Sequence, residues 1–162
     1  MRNKAAPPPR SWLFVPADSE KKIARAIASE ADAIIFDLED SVAPDRKAAA
    51  RDTLKALAPR DGGPRWWVRI NPIGSDEHKD DVEVFASSDI DGVVLPKAES
   101  GADIVQLAHL TGNIPIHAIV TETAASLFGL LSYRDAKAPL VAMSWGAEDL
   151  SAALGASSQY GA

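Results

Sequence analysis

Short apolar runs alternate with amphipathic stretches six times along the chain. Each run ends at a proline or a polar residue and has the length of a buried strand. The six predicted strands cover residues 12–15, 33–36, 66–70, 92–95, 116–120 and 140–143. Between them, apolar residues recur at the spacing of one helical face, which predicts a helix after each strand. These helices are expected near residues 19–28, 44–57, 76–87, 102–110, 123–131 and 147–154.

Strands that are apolar throughout, separated by helices, predict a parallel sheet with both faces covered. Two layouts fit a repeat of about 25 residues, namely an open doubly wound sheet and a closed barrel. The start of the chain, with prolines at positions 7, 8 and 9, predicts a disordered leader over residues 1–9. Residues 10–162 are expected to form one domain, because their number suits a single core.

Polar residues gather where the predicted strands end. Arg69 closes the third strand and Glu122 follows the fifth, whereas the amino ends carry little charge except Asp32 and Asp91. The other polar residues at carboxyl ends are Asp37, Glu39, Asp40, Asn71, Lys97, Glu99, Glu148 and Asp149. In a parallel α/β barrel, the carboxyl ends of the strands form the face on which active sites are built. The asymmetry therefore predicts an active site at that face.

Composition narrows the chemistry that this face can carry. The chain has 162 residues, of which 46% are hydrophobic and 25% charged, as in an ordinary globular domain. The formal charge of -6 argues against nucleic acid or a membrane surface as a partner, because both require a basic patch. Cysteine is absent, which excludes disulfides, thiolate zinc sites and cysteine nucleophiles and fits a reducing cytoplasm. No segment has the pattern of a secretory signal or a membrane span.

The polar residues at the strand ends favour a hard metal ion and an anionic substrate. Glu122 and Asp149 follow adjacent strands, where two carboxylates bind Mg²⁺ and leave positions for water and substrate oxygens. A chelated 2-oxo acid would occupy two positions, and the ion would stabilise charge as a carbon–carbon bond breaks or forms. Arg69 has the planar fork that binds a substrate carboxylate. Gly146 lets a ligand approach the backbone, and the N–H groups that open the sixth helix, from Ala147 onward, favour an anion.

Structural interpretations stand beside these functional ones. Asp149 lies in the first turn of the sixth predicted helix, where an acid also stabilises the helix by interacting favourably with its dipole. Arg69 lies inside a strand, where arginine usually pairs with an acid of the neighbouring strand, and Asp37 or Glu39 would be that acid. Glu39 and Asp40 are predicted to act in the catalytic site or in its water network. Lys97 is expected to form a structural ion pair with these acids, with contact to a ligand as the alternative.

Six motifs occur in order over most of the chain. They are Arg10–Pro16, Asp37–Val42, Val68–Asn71, Leu95–Glu99, Thr121–Thr123 and Gly146–Leu150. Together they resemble the citrate lyase beta-subunit group, which includes malyl-CoA and citramalyl-CoA lyases and is related to the class II 2-oxo-acid aldolases. Because the motifs share one order and spacing, the resemblance is far more specific than any one of them.

The resemblance implies a TIM (β/α)8 barrel in a homo-oligomer, usually a trimer or hexamer, that cleaves or forms a 3-hydroxyacyl-CoA. It implies that Glu122 and Asp149 bind Mg²⁺, that Arg69 holds the substrate carboxylate, and that the glutamate also touches substrate. Citryl-CoA would yield acetyl-CoA and oxaloacetate, and malyl-CoA would yield acetyl-CoA and glyoxylate. The substrates implied are therefore a 2-oxo acid and a CoA thioester.

The chain departs from that group in containing only about the first six β/α units of the barrel. Three explanations for the missing units stand. The chain is part of a longer protein, or it is a short paralogue that completes its barrel by oligomerisation, or it is a truncated remnant. The remnant would be a catalytically inactive binding module. A class II aldolase acting on free hydroxy-oxo acids is the other alternative to the CoA lyase.

Overall fold

The computed structural model describes residues 8–60, 62–86, 88–112 and 114–156. All six predicted strands are confirmed, to within one residue at each end. They are β1 (Trp12–Pro16), β2 (Ala33–Asp37), β3 (Arg65–Arg69), β4 (Gly92–Leu95), β5 (Ile116–Ile119) and β6 (Leu140–Ser144). The predicted leader falls mostly outside the described residues, which begin at Pro8.

A helix follows every strand, as predicted. The helices are α1 (Glu20–Ile27), α2 (Lys47–Lys55), α3 (His78–Glu83), α4 (Gly101–Thr111), α5 (Ser126–Gly129) and α6 (Ala147–Leu154). The fifth helix was predicted over residues 123–131, and this length is wrong, because α5 is one turn that continues as a 3-10 helix (Leu130–Asp135). The segment runs close to the start of α4: the Gly101 N–H donates to Ser132 Oγ over 2.8 Å. At Gly129 a Cβ would stand only 1.8 Å from the carbonyl oxygen of Glu99.

The strands form one parallel sheet in which every strand lies beside its neighbours in the chain, in the order β1-β2-β3-β4-β5-β6. A doubly wound sheet reverses its strand order at a switch point, so this order excludes that layout and matches six consecutive units of a barrel. The described residues leave β1 and β6 as open edges, and closure into the predicted eight-stranded barrel is not seen in them. Apolar side chains are exposed near these edges, at Phe14, Val141, Met143 and Trp145.

The strands alternate their side chains between two apolar layers, which is why each strand is apolar throughout. Phe36, Trp66 and Val68 belong to the layer that packs against the helices. Ile35 and Trp67 belong to the layer on the other face of the sheet. At the carboxyl ends the second face changes from apolar to charged, and that change positions the polar site.

No helix within the described part of the chain is long and apolar enough to cross a membrane.

Candidate active site at the carboxyl ends of the strands

Arg69 is bound by an acid of the neighbouring strand. Asp37 and Arg69 are register partners at the ends of β2 and β3. Arg69 Nε donates to Asp37 Oδ1, and Nη2 donates to Oδ2, each over 2.7 Å. Burial alone would raise the pKa of Asp37, but the hydrogen bonds and charge of Arg69, together with hydrogen bonds from Ser41 and Glu39, hold that pKa below its usual value. The pairing predicted from the strand context is confirmed, and Nη1 is the guanidinium nitrogen not bound to Asp37.

Glu39 lies between two cations behind this pair. Its Oε1 accepts a hydrogen bond from Lys97 Nζ. Its Oε2 lies 3.1 Å from Arg69 Nη1, yet this oxygen is buried without a hydrogen bond among the described residues. Burial raises the pKa of Glu39 even though both cations lower it. Glu39 is 4% exposed and therefore sits inside the wall of the site.

Asp40 is the accessible acid of the same turn. Its side chain is 56% exposed and lies 3.8 Å from both Arg69 Nη1 and Lys97 Nζ. The ion pair predicted for Lys97 is therefore confirmed, with Glu39 as its close partner. Of the two acids predicted to be catalytic, only Asp40 is open to solvent.

Glu122 is held by the backbone of the turn after β4. The Lys97 N–H donates to Glu122 Oε2 over 2.5 Å, which leaves Oε1 free of this contact. Burial raises the pKa of Glu122; the charge of Asp149 also raises it, whereas Lys97 lowers it. Glu122 and Asp149, the two predicted metal ligands, both line one cavity at this end of the sheet.

Gly146 makes room for Glu122. A Cβ at position 146 would lie 2.2 Å from Glu122 Cγ and 3.0 Å from its Cδ. The Gly146 N–H donates to Thr121 Oγ1 over 3.2 Å, which ties the end of β6 to the end of β5. The predicted role of Gly146 was close approach of a ligand, and the structure shows that the glutamate side chain fills this space. Ala147 begins α6 directly afterwards, and Asp149 lies in the first turn of that helix.

One cavity of about 420 Å³ joins these residues. It is lined by Trp12, Phe14, Ile35, Arg69, His117, Ile119, Glu122, Ser144, Trp145, Gly146, Glu148 and Asp149. Arg69, Glu122, Gly146 and Asp149 were predicted from the sequence, and the cavity brings all four together. Glu39 and Asp40 are not among its lining residues. A larger cavity of about 710 Å³ lies at the amino ends of the strands, away from these residues.

The acidic residues fit a magnesium ion. No group of three or more histidine, aspartate or glutamate ligands occurs within the described residues, so Glu122 and Asp149 supply two carboxylates only. Magnesium keeps several waters and is commonly held by one or two carboxylates together with substrate oxygens. Glu122, with one oxygen not bound to Lys97, and Asp149, which lines the same cavity, match that requirement.

His117 is a cavity residue that the sequence did not single out. Its ring packs edge-on against Trp12 with the ring centroids 5.0 Å apart. Neither ring nitrogen has a hydrogen-bond partner among the described residues, and burial lowers the pKa of the imidazole. His117 therefore contributes a neutral aromatic wall to the cavity. Its position early in a strand gave no signal of this role.

A buried polar network supports the site from behind. Lys47 Nζ donates to the carbonyl oxygens of Leu38 and Glu39 over 2.8 and 3.0 Å and to Asn71 Oδ1 over 2.7 Å. Asn71 in turn donates through its backbone N–H and through Nδ2 to Asp81 Oδ2, each over 2.7 Å. The network fixes the turn that carries Glu39 against the end of β3. Lys47 and Asp81 were missed, because each looks in the sequence like an ordinary charged residue on a helix.

Comparisons with known proteins agree with the resemblance seen in the motifs. The family model described as HpcH/HpaI aldolase/citrate lyase matches residues 10–162. A citrate lyase subunit beta-like protein of Mycobacterium tuberculosis is 42% identical over 160 residues, which is 98% of this chain and 54% of that protein. A (3S)-malyl-CoA thioesterase of Cereibacter sphaeroides is 42% identical over 124 residues, 75% of this chain and 43% of the thioesterase. An L-malyl-CoA/beta-methylmalyl-CoA lyase of the same species is 33% identical over 164 residues, 93% of this chain and 52% of the lyase.

Solved structures match the fold as well. A crystal structure of CitE from M. tuberculosis with magnesium and acetoacetate has a TM-score of 0.78 and 41% identity, covering 91% of this chain and 58% of that one. A second CitE structure, with magnesium, acetoacetate and coenzyme A, has a TM-score of 0.79 and 41% identity, covering 93% of this chain and 53% of that one. The chain spans about half the length of the curated relatives it matches. The predicted family is confirmed: the chain belongs to the HpcH/HpaI aldolase/citrate lyase family.

Proposed function

We propose that this chain carries the metal and oxo-acid site of a Mg²⁺-dependent carbon–carbon lyase that cleaves or forms a 3-hydroxyacyl-CoA. The observation that carries the proposal is the shared cavity, which Arg69, Glu122 and Asp149 all line. The family supports an enzyme of the lyase or aldolase type. The CitE structure that contains magnesium, acetoacetate and coenzyme A supports the choice of ion and substrate class.

Three residues of the cavity, Arg69, Glu122 and Asp149, have distinct parts in this proposal. Glu122 and Asp149 would hold Mg²⁺, with the remaining positions left to water and substrate oxygens. Mg²⁺ bound there would stabilise the negative charge that develops on the keto oxygen of the 2-oxo acid. Arg69 would bind the substrate carboxylate through Nη1, since Nε and Nη2 are committed to Asp37. The peptide N–H groups that open α6 at Ala147 add a favourable field for an anion.

The proposed cleavage needs two proton transfers. The substrate hydroxyl loses its proton, the carbon–carbon bond breaks to give the 2-oxo acid, and its electron pair passes into the thioester as an enolate. The enolate then takes up a proton and leaves as acyl-CoA. We assign Asp40 to exchange with solvent the proton that the hydroxyl releases, because it is the exposed acid beside Arg69 and Lys97. Buried Glu39 would orient those two cations.

Hydrolysis of the thioester is a second candidate, because a relative 42% identical to this chain is a (3S)-malyl-CoA thioesterase. The products separate the two reactions. Malyl-CoA cleaved by a lyase yields acetyl-CoA and glyoxylate, whereas hydrolysis yields malate and free CoA. Incubation of the purified chain with malyl-CoA or citryl-CoA and Mg²⁺, followed by mass spectrometry of the products, decides between them.

The metal assignment predicts that Glu122→Ala or Asp149→Ala weakens Mg²⁺ binding at least about 100-fold, because each removes one of two carboxylates. Calorimetric titration of Mg²⁺ measures the affinity, and circular dichroism checks the fold. The exposed acids Asp52 and Glu83 provide matched controls, whose alanine variants should bind Mg²⁺ as the wild type does. Full Mg²⁺ affinity in Glu122→Ala would refute the metal site.

The same assay addresses the alternatives. Binding of Mg²⁺ and oxo acid without turnover would identify an inactive binding module, and cleavage of free hydroxy-oxo acids without CoA would identify a class II aldolase. A homo-oligomer, trimeric or hexameric, remains a prediction from the family resemblance, and a cytoplasmic location remains a prediction from the absence of cysteine. Light scattering coupled to size-exclusion chromatography measures the assembly directly.

A further inference from the structure

Lys97 has a backbone conformation that its residue type disfavours. Its φ is 52°, and it is the only residue other than glycine with positive φ in the described part of the chain. The position follows β4 and Pro96 directly, at the carboxyl face of the sheet. A side chain with a Cβ is crowded in this left-handed region, so the conformation persists only where the surroundings enforce it.

The conformation directs two successive N–H groups at the end of β5. The Lys97 N–H donates to Glu122 Oε2 over 2.5 Å. The next N–H, of Ala98, donates to the carbonyl oxygen of Ile119 over 3.2 Å. The turn after β4 is thereby bound to β5 at the point where Glu122 emerges. The contact from the Lys97 N–H fixes the orientation of the Glu122 carboxylate.

The side chain of Lys97 reaches the opposite side of the site. Its ammonium bonds Glu39 Oε1 and lies 3.8 Å from Asp40. The other oxygen of Glu39 faces Arg69 Nη1 at 3.1 Å without a hydrogen bond. Two cations therefore share one carboxylate, and Lys97 has the closer contact. Without the ammonium, Glu39 would have Arg69 as its nearest cation and would compete with any substrate carboxylate for Nη1.

We propose that Lys97 is a positioning residue with two separable actions. Its backbone N–H orients Glu122 toward the metal, and its ammonium holds Glu39 Oε1, so that Glu39 Oε2 stays in ion-pair contact with Arg69 Nη1 without forming a hydrogen bond to it and an oxo acid can displace it. Glycine at this position would adopt the conformation freely but has no ammonium, which explains why a lysine occupies a left-handed position. The inference rests on the proposed function, because it takes Glu122 as a metal ligand and Arg69 as the substrate anchor.

Four substitutions separate the two actions. Lys97→Gly and Lys97→Met both keep the N–H and remove the ammonium, so Mg²⁺ affinity should stay within about threefold of wild type while pyruvate affinity falls about tenfold. Lys97→Val has a branched Cβ that disfavours positive φ more strongly, so its Mg²⁺ affinity should also fall about tenfold. Lys97→Arg restores a cation and should recover most of the pyruvate affinity.

The measurements are calorimetric titrations with Mg²⁺ alone and with pyruvate at saturating Mg²⁺. Lys137 is an exposed loop lysine, and Lys137→Gly and Lys137→Val should leave both affinities unchanged. Parallel loss of the two affinities in Lys97→Gly, or unchanged pyruvate affinity in that variant, would overturn the inference. If the Lys97→Val variant does not fold, the Lys97→Gly and Lys97→Met variants still test the role of the ammonium.

The outcomes also separate this inference from the proposed function. If the wild-type protein binds Mg²⁺ but the Lys97 variants do not show the expected Mg²⁺ and pyruvate affinities, only the proposed role of Lys97 is overturned. Wild-type protein that binds no Mg²⁺ overturns both.

Discussion

Replacing Gly146 by alanine should damage the metal site through one methyl group. The added Cβ would stand 2.2 Å from Glu122 Cγ, whereas carbon atoms in contact prefer about 3.5–4.0 Å. The two groups must therefore separate by more than about 1 Å. The backbone at Gly146 has φ -103° and ψ 79°, so positive φ is not the reason glycine is needed here. The bond from its N–H to Thr121 restrains β6, so Glu122 is the group that moves.

A displacement of this size exceeds what a metal site tolerates. Ligand distances in a metal site are held within about 0.2 Å, and disturbing the support of a ligand costs about 10–100-fold in metal affinity. Overpacking also lowers the free energy of unfolding, by about 1–3 kcal/mol. For a chain of this size the melting temperature should fall by about 2–4 °C for each kcal/mol. We therefore expect Gly146→Ala to be folded, modestly destabilised and deficient in Mg²⁺ binding.

Calorimetric Mg²⁺ titration and thermal unfolding in EDTA measure the two effects separately. Gly92→Ala is the matched control, because its Cβ would lie 2.3 Å from the Trp67 ring and does not approach Glu122. This variant should lose stability and keep its Mg²⁺ affinity. If Gly146→Ala binds Mg²⁺ with wild-type affinity, then either Glu122 accommodates the added methyl group without leaving the metal, or Glu122 does not bind the ion. Either result would refute the prediction.

Two further predictions concern the support of the site. Lys47→Met leaves three buried acceptors without their donor and should lower the free energy of unfolding by about 3 kcal/mol, measured by urea denaturation; a loss below about 0.5 kcal/mol would contradict the network. Asp37 has a folded-state pKa below its ordinary 3.8, so its contribution to stability is present above about pH 4 and is lost as the pH falls through the folded value. Asp37→Asn should therefore lower the free energy of unfolding by about 3 kcal/mol at pH 7. When the pH is lowered below 4, the variant should lose less stability than the wild type does. Urea denaturation at pH 7 and below pH 4 measures both differences. Identical acid sensitivity in the two proteins would exclude Asp37 as the source.

Much of the site was predictable because its signals are local. An apolar run and the polar residue that ends it are adjacent in the chain, and parallel strands bring all their carboxyl ends to one edge of the sheet. Arg69, Glu122 and Asp149 could therefore be assigned to one face before any contact was known. The cavity that holds all three bears out that assignment.

Other features depend on which strand ends are neighbours and on distances of a few ångströms. The register that pairs Asp37 with Arg69 decides that two guanidinium nitrogens are already occupied. The positive φ of Lys97 occurs together with contacts on two sides of the site, and nothing in the residues beside it indicates that conformation. Glycine at position 146 is consistent with ligand access, and only the packing of β6 beside β5 shows that Glu122 fills the space.

The pattern of apolar and polar residues thus determined the strands, their parallel arrangement and the face that carries the chemistry, because each follows from periodicity along the chain. The tertiary structure decided which charged side chains pair with each other and which of their atoms remain available to bind a ligand. Those outcomes depend on side chains that meet from separate strands: Lys97 contacts both Glu39, from the turn after β2, and Glu122, from the end of β5.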